Sequence, residues 1–127
     1  MEVELILMRQ LASYLTLPMF VVGVNESLLF YNQAAEVHLG RRFEEAGEMP
    51  LGELATIFQI KRLDGSQYPP DELPLAIALR DRRPTHDTLR FHALDGVDHI
   101  VDVTAFPLEG HGGRHVGAVA IFWDTDQ

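Results

Sequence analysis

The residues in this chain best placed to do chemistry together are two histidines, His92 and His99, which flank Asp95-Gly96 symmetrically. If Asp95-Gly96 is a two-residue hairpin turn, Leu94 faces Val97 and His92 sits directly opposite His99, with both rings on one face of a sheet. Two imidazoles so placed form a candidate metal pair, or a pH-sensitive contact near their ordinary pKa of ~6.5. Asp98 and Asp102 alternate to the other face, so the pair has no third ligand in view. Two partly exposed histidines on a sheet surface are the plainer reading.

Other chemistries fall away on residue type. The chain has no cysteine, hence no disulfide framework, thiolate nucleophile or cysteine-based zinc site. Ser13, Ser27 and Ser66 lack the surroundings of a nucleophile, and Ser27 lies in a predicted turn where bonding to backbone is its ordinary role. The acidic group Glu44, Glu45 and Glu48 has nothing rigid predicted to hold it, and the glycines are dispersed rather than gathered into a phosphate-cradling loop. Arg80, Arg82 and Arg83 gather at the end of a predicted helix, where they favour the dipole and could receive an anion. A small isomerase-like enzyme would need a buried acid or base, for which Asp102 is the candidate. A domain with no catalysis of its own is the simpler expectation.

Composition bounds the partners. The 127 residues suffice for one domain with one core, and at 46% apolar content disorder is no reading for most of the chain. A formal charge of -9, from 10 basic against 19 acidic residues, argues against a nucleic-acid or anionic-membrane surface. No apolar run approaches the ~20 residues that span a bilayer, and the start Met-Glu-Val-Glu lacks a basic leader region. A cytoplasmic location is therefore expected.

The elements that must position these residues follow from periodicity. Val3, Ile6, Leu7, Leu11 and Tyr14 or Leu15 recur at helical spacing across residues 2–15, which predicts an amphipathic helix. Met19 to Val24 and Leu28 to Tyr31 read as two strands about a turn at residues 25–27. Asn32 is placed to cap a short helix, Gln33 to Leu39, that Gly40 closes. Residues 41–50 read as an exposed, mobile connection and Leu51 to Ile60 as another helix. Asp71 is expected to cap a further helix carrying Leu75, Ala76 and Leu79 on one face, with Pro74 tolerated in its first turn. Thr85 to Leu94, Val97 to Leu108 and Arg114 to Asp124 complete an antiparallel meander. The last of these is apolar almost throughout, so it belongs mid-sheet with both faces covered.

The order of these elements resembles that of a PAS domain, the sensory module of kinases and transcriptional regulators, over roughly residues 12–124. The matching pieces are Pro18 to Val24, then Leu29-Phe30-Tyr31-Asn32-Gln33-Ala34-Ala35 with the helix-closing Gly40. Asp64-Gly65, Glu72 to Leu75 and Ala78-Leu79 follow, and then Asp95-Gly96, Ala105 to Leu108 and Gly117 to Val119. The chain departs from the family at its exit, where Asp124-Thr125-Asp126 replaces the common Asp-Ile-Thr. The resemblance implies an α+β fold: a five-stranded antiparallel sheet with helices on one face, spanning residues 18–124, preceded by an amphipathic helix within residues 1–17. It also implies a signal-sensing or regulatory role, in which the domain binds a small molecule or relays conformational change to an output module such as a histidine kinase or transcription regulator. A ligand-free module for homodimerisation and protein interaction is the alternative.

Geometry places Phe20, Val22, Leu39, Ile57, Leu75, Leu79 and Phe122 around a space between helices and sheet, with Tyr31, Asn32 or Thr104 as its polar handle. Plain core packing accounts for the same positions. Val3, Ile6, Leu7 and Leu11, with Trp123 beside the chain exit, are the expected surfaces of a homodimer. The absence of cysteine excludes the covalent flavin adduct and the cysteine-linked chromophore found among the proteins this chain resembles. Haem sensors of that family use a histidine in the central helix, whereas residues 71–83 contain none and His86 lies just beyond. Non-covalent flavin has no residue pattern in its favour.

Overall fold

A computed structural model gives the fold, and it describes residues 3–125. The elements are α1 (Val3–Tyr14), β1 (Met19–Gly23), β2 (Ser27–Tyr31), α2 (Gln33–Leu39), α3 (Phe43–Ala46), β3 (Met49–Pro50), α4 (Leu51–Ile57), α5 (Pro74–Asp81), β4 (Thr85–His92), β5 (Asp98–Glu109) and β6 (His115–Asp124). The strands form one antiparallel sheet in the order β3-β2-β1-β6-β5-β4. The first and last long strands thus lie side by side at its centre. The Phe122 N–H donates to the Pro18 carbonyl across this seam at 3.1 Å.

Burial explains the apolar runs. All of Met19 to Gly23 and all of Val116 to Ala120 are buried, because both faces of the central strands are covered. On the inner face, Phe20, Val22, Ala118, Ala120 and Phe122 join side chains from α2, α4 and α5 in the main core. On the outer face, Met19, Val21 and Val119 meet Leu5 and Ala12 of α1. Gly117 lets two strands approach: a Cβ there would stand 2.2 Å from the Val22 carbonyl oxygen.

Three local expectations are corrected. The sheet has six strands, because residues 41–50 are not a simple exposed connection. Phe43 packs edge-on against Phe30 and Tyr31, and buried Met49 pairs with Leu28 to add β3. Asp71 does not cap a helix. Residues Pro70–Glu72 make a single 3-10 turn, and α5 starts only at Pro74. A residue before proline is driven out of helical geometry, and Leu73 is accordingly extended at φ -61, ψ 146.

The third correction concerns the β4–β5 hairpin. Its loop is three residues long, closed by the Ala93 N–H on the Val97 carbonyl, with Gly96 at φ 90. That is a turn followed by a left-handed glycine, the next commonest hairpin after the two-residue kind. The register therefore slips by one: His92 faces Asp98, and His99 faces Phe91. A one-residue slip moves side chains to the opposite face, so His92 and His99 point away from each other and cannot form a metal pair.

Candidate functional site

The space between the helices and the sheet is a cavity of about 60 Å³. Phe20, Leu39, Leu75 and Phe122 line it, together with Leu51, Leu54, Phe58, Leu89, Phe91 and further apolar side chains. Cavities that hold drug-sized ligands run to roughly 300–1,000 Å³, so this interior is mostly filled. Val22 and Leu79 are buried in the surrounding core and Ile57 packs against its edge, all outside the lining.

None of the three proposed polar handles serves the cavity. The Tyr31 hydroxyl donates to the Arg41 carbonyl at 2.9 Å. Thr104 lies on the outer face, where its hydroxyl meets His86 Nδ1 at 3.0 Å. Buried Asn32 spends its whole amide on backbone. Its oxygen accepts from the Met19 and Ala35 N–H groups at 3.1 and 3.0 Å, and its nitrogen donates to the Ala12 and Leu17 carbonyls at 3.0 and 2.8 Å. One side chain so caps α2, receives the start of β1 and ties down the end of α1.

A second, polar hollow of about 480 Å³ opens beside the β4–β5 hairpin, between Gln59, Lys61, Arg90, His92 and Asp98. There His92 Nδ1 lies 2.7 Å from Asp98 Oδ1, a contact that holds the exposed carboxylate below the usual carboxylate range. Asp102, the acid candidate, accepts from the Thr88 hydroxyl at 2.6 Å, also on the outer face. On the helix side, the buried Tyr68 hydroxyl donates to the Asp87 carboxylate, and Arg62 lies over its ring at 4.6 Å. Burial first, then the bond to Asp87, pushes the Tyr68 phenol well above its ordinary pKa.

The cluster that sequence reasoning missed joins three elements. His38 of α2 and His99 of β5 both face Asp124 at the end of β6. His38 Nε2 lies 3.1 Å from Asp124 Oδ2, and His99 Nδ1 lies 3.1 Å from Asp124 Oδ1. The other nitrogen of His38 lies 3.2 Å from the Ala34 carbonyl oxygen. His99 stacks on Phe91 at 4.9 Å, and Phe122 meets the His38 ring edge-on at 5.6 Å. The cluster thus rests against two aromatic residues that also line the cavity. His99 belonged to the sequence-level pair, but His38 and Asp124 are 86 residues apart, and no local spacing connects them.

On α1, Leu5 and Ala12 are buried against the sheet, with Met8 and Leu15 partly buried beside them. Val3, Ile6, Leu7, Leu11 and Tyr14 are exposed, from 47% for Ile6 to 83% for Tyr14. The helix therefore has two apolar faces, one docked and one open. Trp123, 38% exposed, faces outward from β6 across from Asp102. Among the described residues no helix is long and apolar enough to cross a membrane.

Comparison with known proteins agrees with the architecture. No curated protein matches the chain. Among solved structures it is similar to the PAS domain of a Colwellia psychrerythraea protein, at 18% identity and a TM-score of 0.66 over 94% of this chain and 97% of that one. It is similar to the PAS domain of Bordetella pertussis BvgS at 17% identity, with a TM-score of 0.73 over 99% and 89% of the two chains. The PAS domain of nitrogen regulation protein NR(II) from Vibrio parahaemolyticus aligns at 15% identity with a TM-score of 0.64, over 94% and 98%. The sequence profile of the PAS fold matches residues 15–127, and with the sheet order, the capped α2 and the helix-covered inner face already described, the chain belongs to the PAS-fold family.

Proposed function

We propose that this domain is a signalling module that relays conformational change between α1 and the end of β6 to an output module such as a histidine kinase or transcription regulator. In this reading it works as a homodimer joined through α1, and it is not itself an enzyme. The observation that carries the reading is the second apolar face of α1. Val3, Ile6, Leu7, Leu11 and Tyr14 remain open while the opposite face is already docked. Exposed apolar stripes of this kind mark protein contacts, and a closed two-fold pair is the commonest way for a chain to cover its own. The filled interior supports relay by packing over capture of a large cofactor.

The apolar lining of the cavity favours one second reading, a sensor for a small, uncharged molecule of a few heavy atoms. Native mass spectrometry with and without denaturation separates the two. Relay predicts a dimer with no retained mass, and Leu7→Glu with Leu11→Glu turns it into a folded monomer. A retained small mass, released on denaturation and lost in Leu75→Trp, supports the sensor. A wild-type monomer at tens of micromolar overturns the α1 interface.

A further inference from the structure

The His38–His99–Asp124 cluster carries an inference that does not depend on the relay reading. A neutral imidazole has one N–H donor and one lone pair. His38 faces an oxygen acceptor at both nitrogens, the Ala34 carbonyl at 3.2 Å and the Asp124 carboxylate at 3.1 Å. Either neutral tautomer therefore leaves a lone pair pointed at an oxygen. The other oxygen of Asp124 lies 3.1 Å from His99 Nδ1. A cation between the three groups would use the nitrogen lone pairs that face Asp124 as ligands.

We propose that these three residues bind a divalent transition-metal ion of the zinc type, through His38 Nε2, His99 Nδ1 and a carboxylate oxygen of Asp124. Two imidazoles and a carboxylate are a donor set suited to such ions, and three protein ligands leave a fourth position for water or a small anion. One donor atom from each residue already lies within 4.8 Å of the others. Ligand bonds of ~2.0–2.2 Å in tetrahedral geometry bring donors to about 3.3 Å apart, so binding needs only a modest closure. Asp124 is half exposed, which leaves its carboxylate room to turn one oxygen towards both rings. The surroundings suit ligation too. With the ion on Nε2, the His38 Nδ1–H would donate to the Ala34 carbonyl 3.2 Å away, the usual outer support of a metal-bound histidine. Phe91 holds the His99 ring flat by stacking at 4.9 Å. The ion would pin α2 to the last residue of β6.

The test uses the chelator-treated domain at pH 7.5, above the ordinary imidazole range. Calorimetry with zinc chloride, and cobalt(II) absorption as a second probe, are expected to show one saturable site per chain. His38→Gln and Asp124→Asn each weaken it by about tenfold or more, on the scale of losses at metal sites, and His92→Gln leaves it unchanged. Histidine side-chain nitrogen NMR on the wild-type protein needs no variant: His38 and His99 shift on adding zinc. Absence of a saturable site overturns the proposal, as does equal affinity in both ligand variants. A nitrogen response confined to His86, His92, His111 or His115 overturns it as well.

Discussion

The two faces of the sheet are held in different ways. The inner face joins helices α2, α4 and α5 to the strands in one continuous apolar cluster of large side chains, among them Phe20, Tyr31, Phe58, Phe91 and Phe122. The outer face gains only Leu5 and Ala12 as fully buried residues of its covering helix. A helix of 12 residues is marginal by itself in water. Polar ties therefore matter more for α1: Asn32 holds the Ala12 carbonyl, and at the other end the His111 N–H donates to Glu4 Oε2 at 3.2 Å. On this comparison the inner face is expected to dominate the stability of the domain. The outer face is expected to govern how firmly its first helix is held.

Breaking the inner face has the largest expected effect. Phe122→Ala removes a ring that touches Phe20, Phe91 and His38, and is expected to cost about 3–5 kcal/mol in urea denaturation. Asn32→Ala strikes both faces at once, because four hydrogen bonds to buried or helix-end backbone vanish together. A global loss of about 2–3 kcal/mol is expected, with amide exchange in α1 accelerated beyond that of the strands. Leu5→Ala tests the outer face alone. If α1 opens as a separate unit, the substitution speeds exchange within residues 3–14 and moves the global midpoint by about 1 kcal/mol or less. A loss as large as that of Phe122→Ala would show the two faces to be one cooperative unit.

The smallest expected effect sharpens the comparison through pH. A phenol whose folded pKa is raised stabilises the fold fully below its unfolded value of ~10, and that stability drains away as pH climbs past it. Tyr68 is in this position on the helix side of the sheet. Tyr68→Phe is expected to flatten the decline in stability between pH 9 and 11 in denaturation curves. A decline as steep as in the wild type would assign the alkaline limb to other groups.

Most of the architecture was legible from local signals. The capped α2, the two central strands and the break at Gly40 each depend on residues close in sequence, and they lie within a residue or two of their expected places. The β4–β5 register was misread because Asp95-Gly96 fits two loop lengths equally well, and only the closing Ala93–Val97 bond distinguishes them. Residues 41–50 looked unstructured because a short helix and a two-residue strand have too few positions to show a period. Here Phe43 and Met49, one anchor each, do the work of a pattern. Of the fifteen residues around the cavity, Phe20, Leu39, Leu75 and Phe122 are the four that periodicity alone placed there. The rest comes from several elements, among them Leu51 and Leu54 of α4, Leu89 and Phe91 of β4 and Val101 and Val103 of β5, and which of these meet depends on tertiary packing. The His38–Asp124 contact lay out of reach for the same reason.

The seam between β1 and β6 has a mechanical consequence. The chain enters the sheet at Pro18 and leaves it at Asp124, and the two points are joined by the hydrogen bond from Phe122 N–H to the Pro18 carbonyl. The same two strands stay paired from Met19 opposite Ile121 to Gly23 opposite Gly117, so a displacement at the end of α1 bears on the exit strand directly, without crossing the interior. The start and finish of the sheet thus form one shared hinge line, and repacking around Phe122 would change how stiffly that line is held and not where it lies.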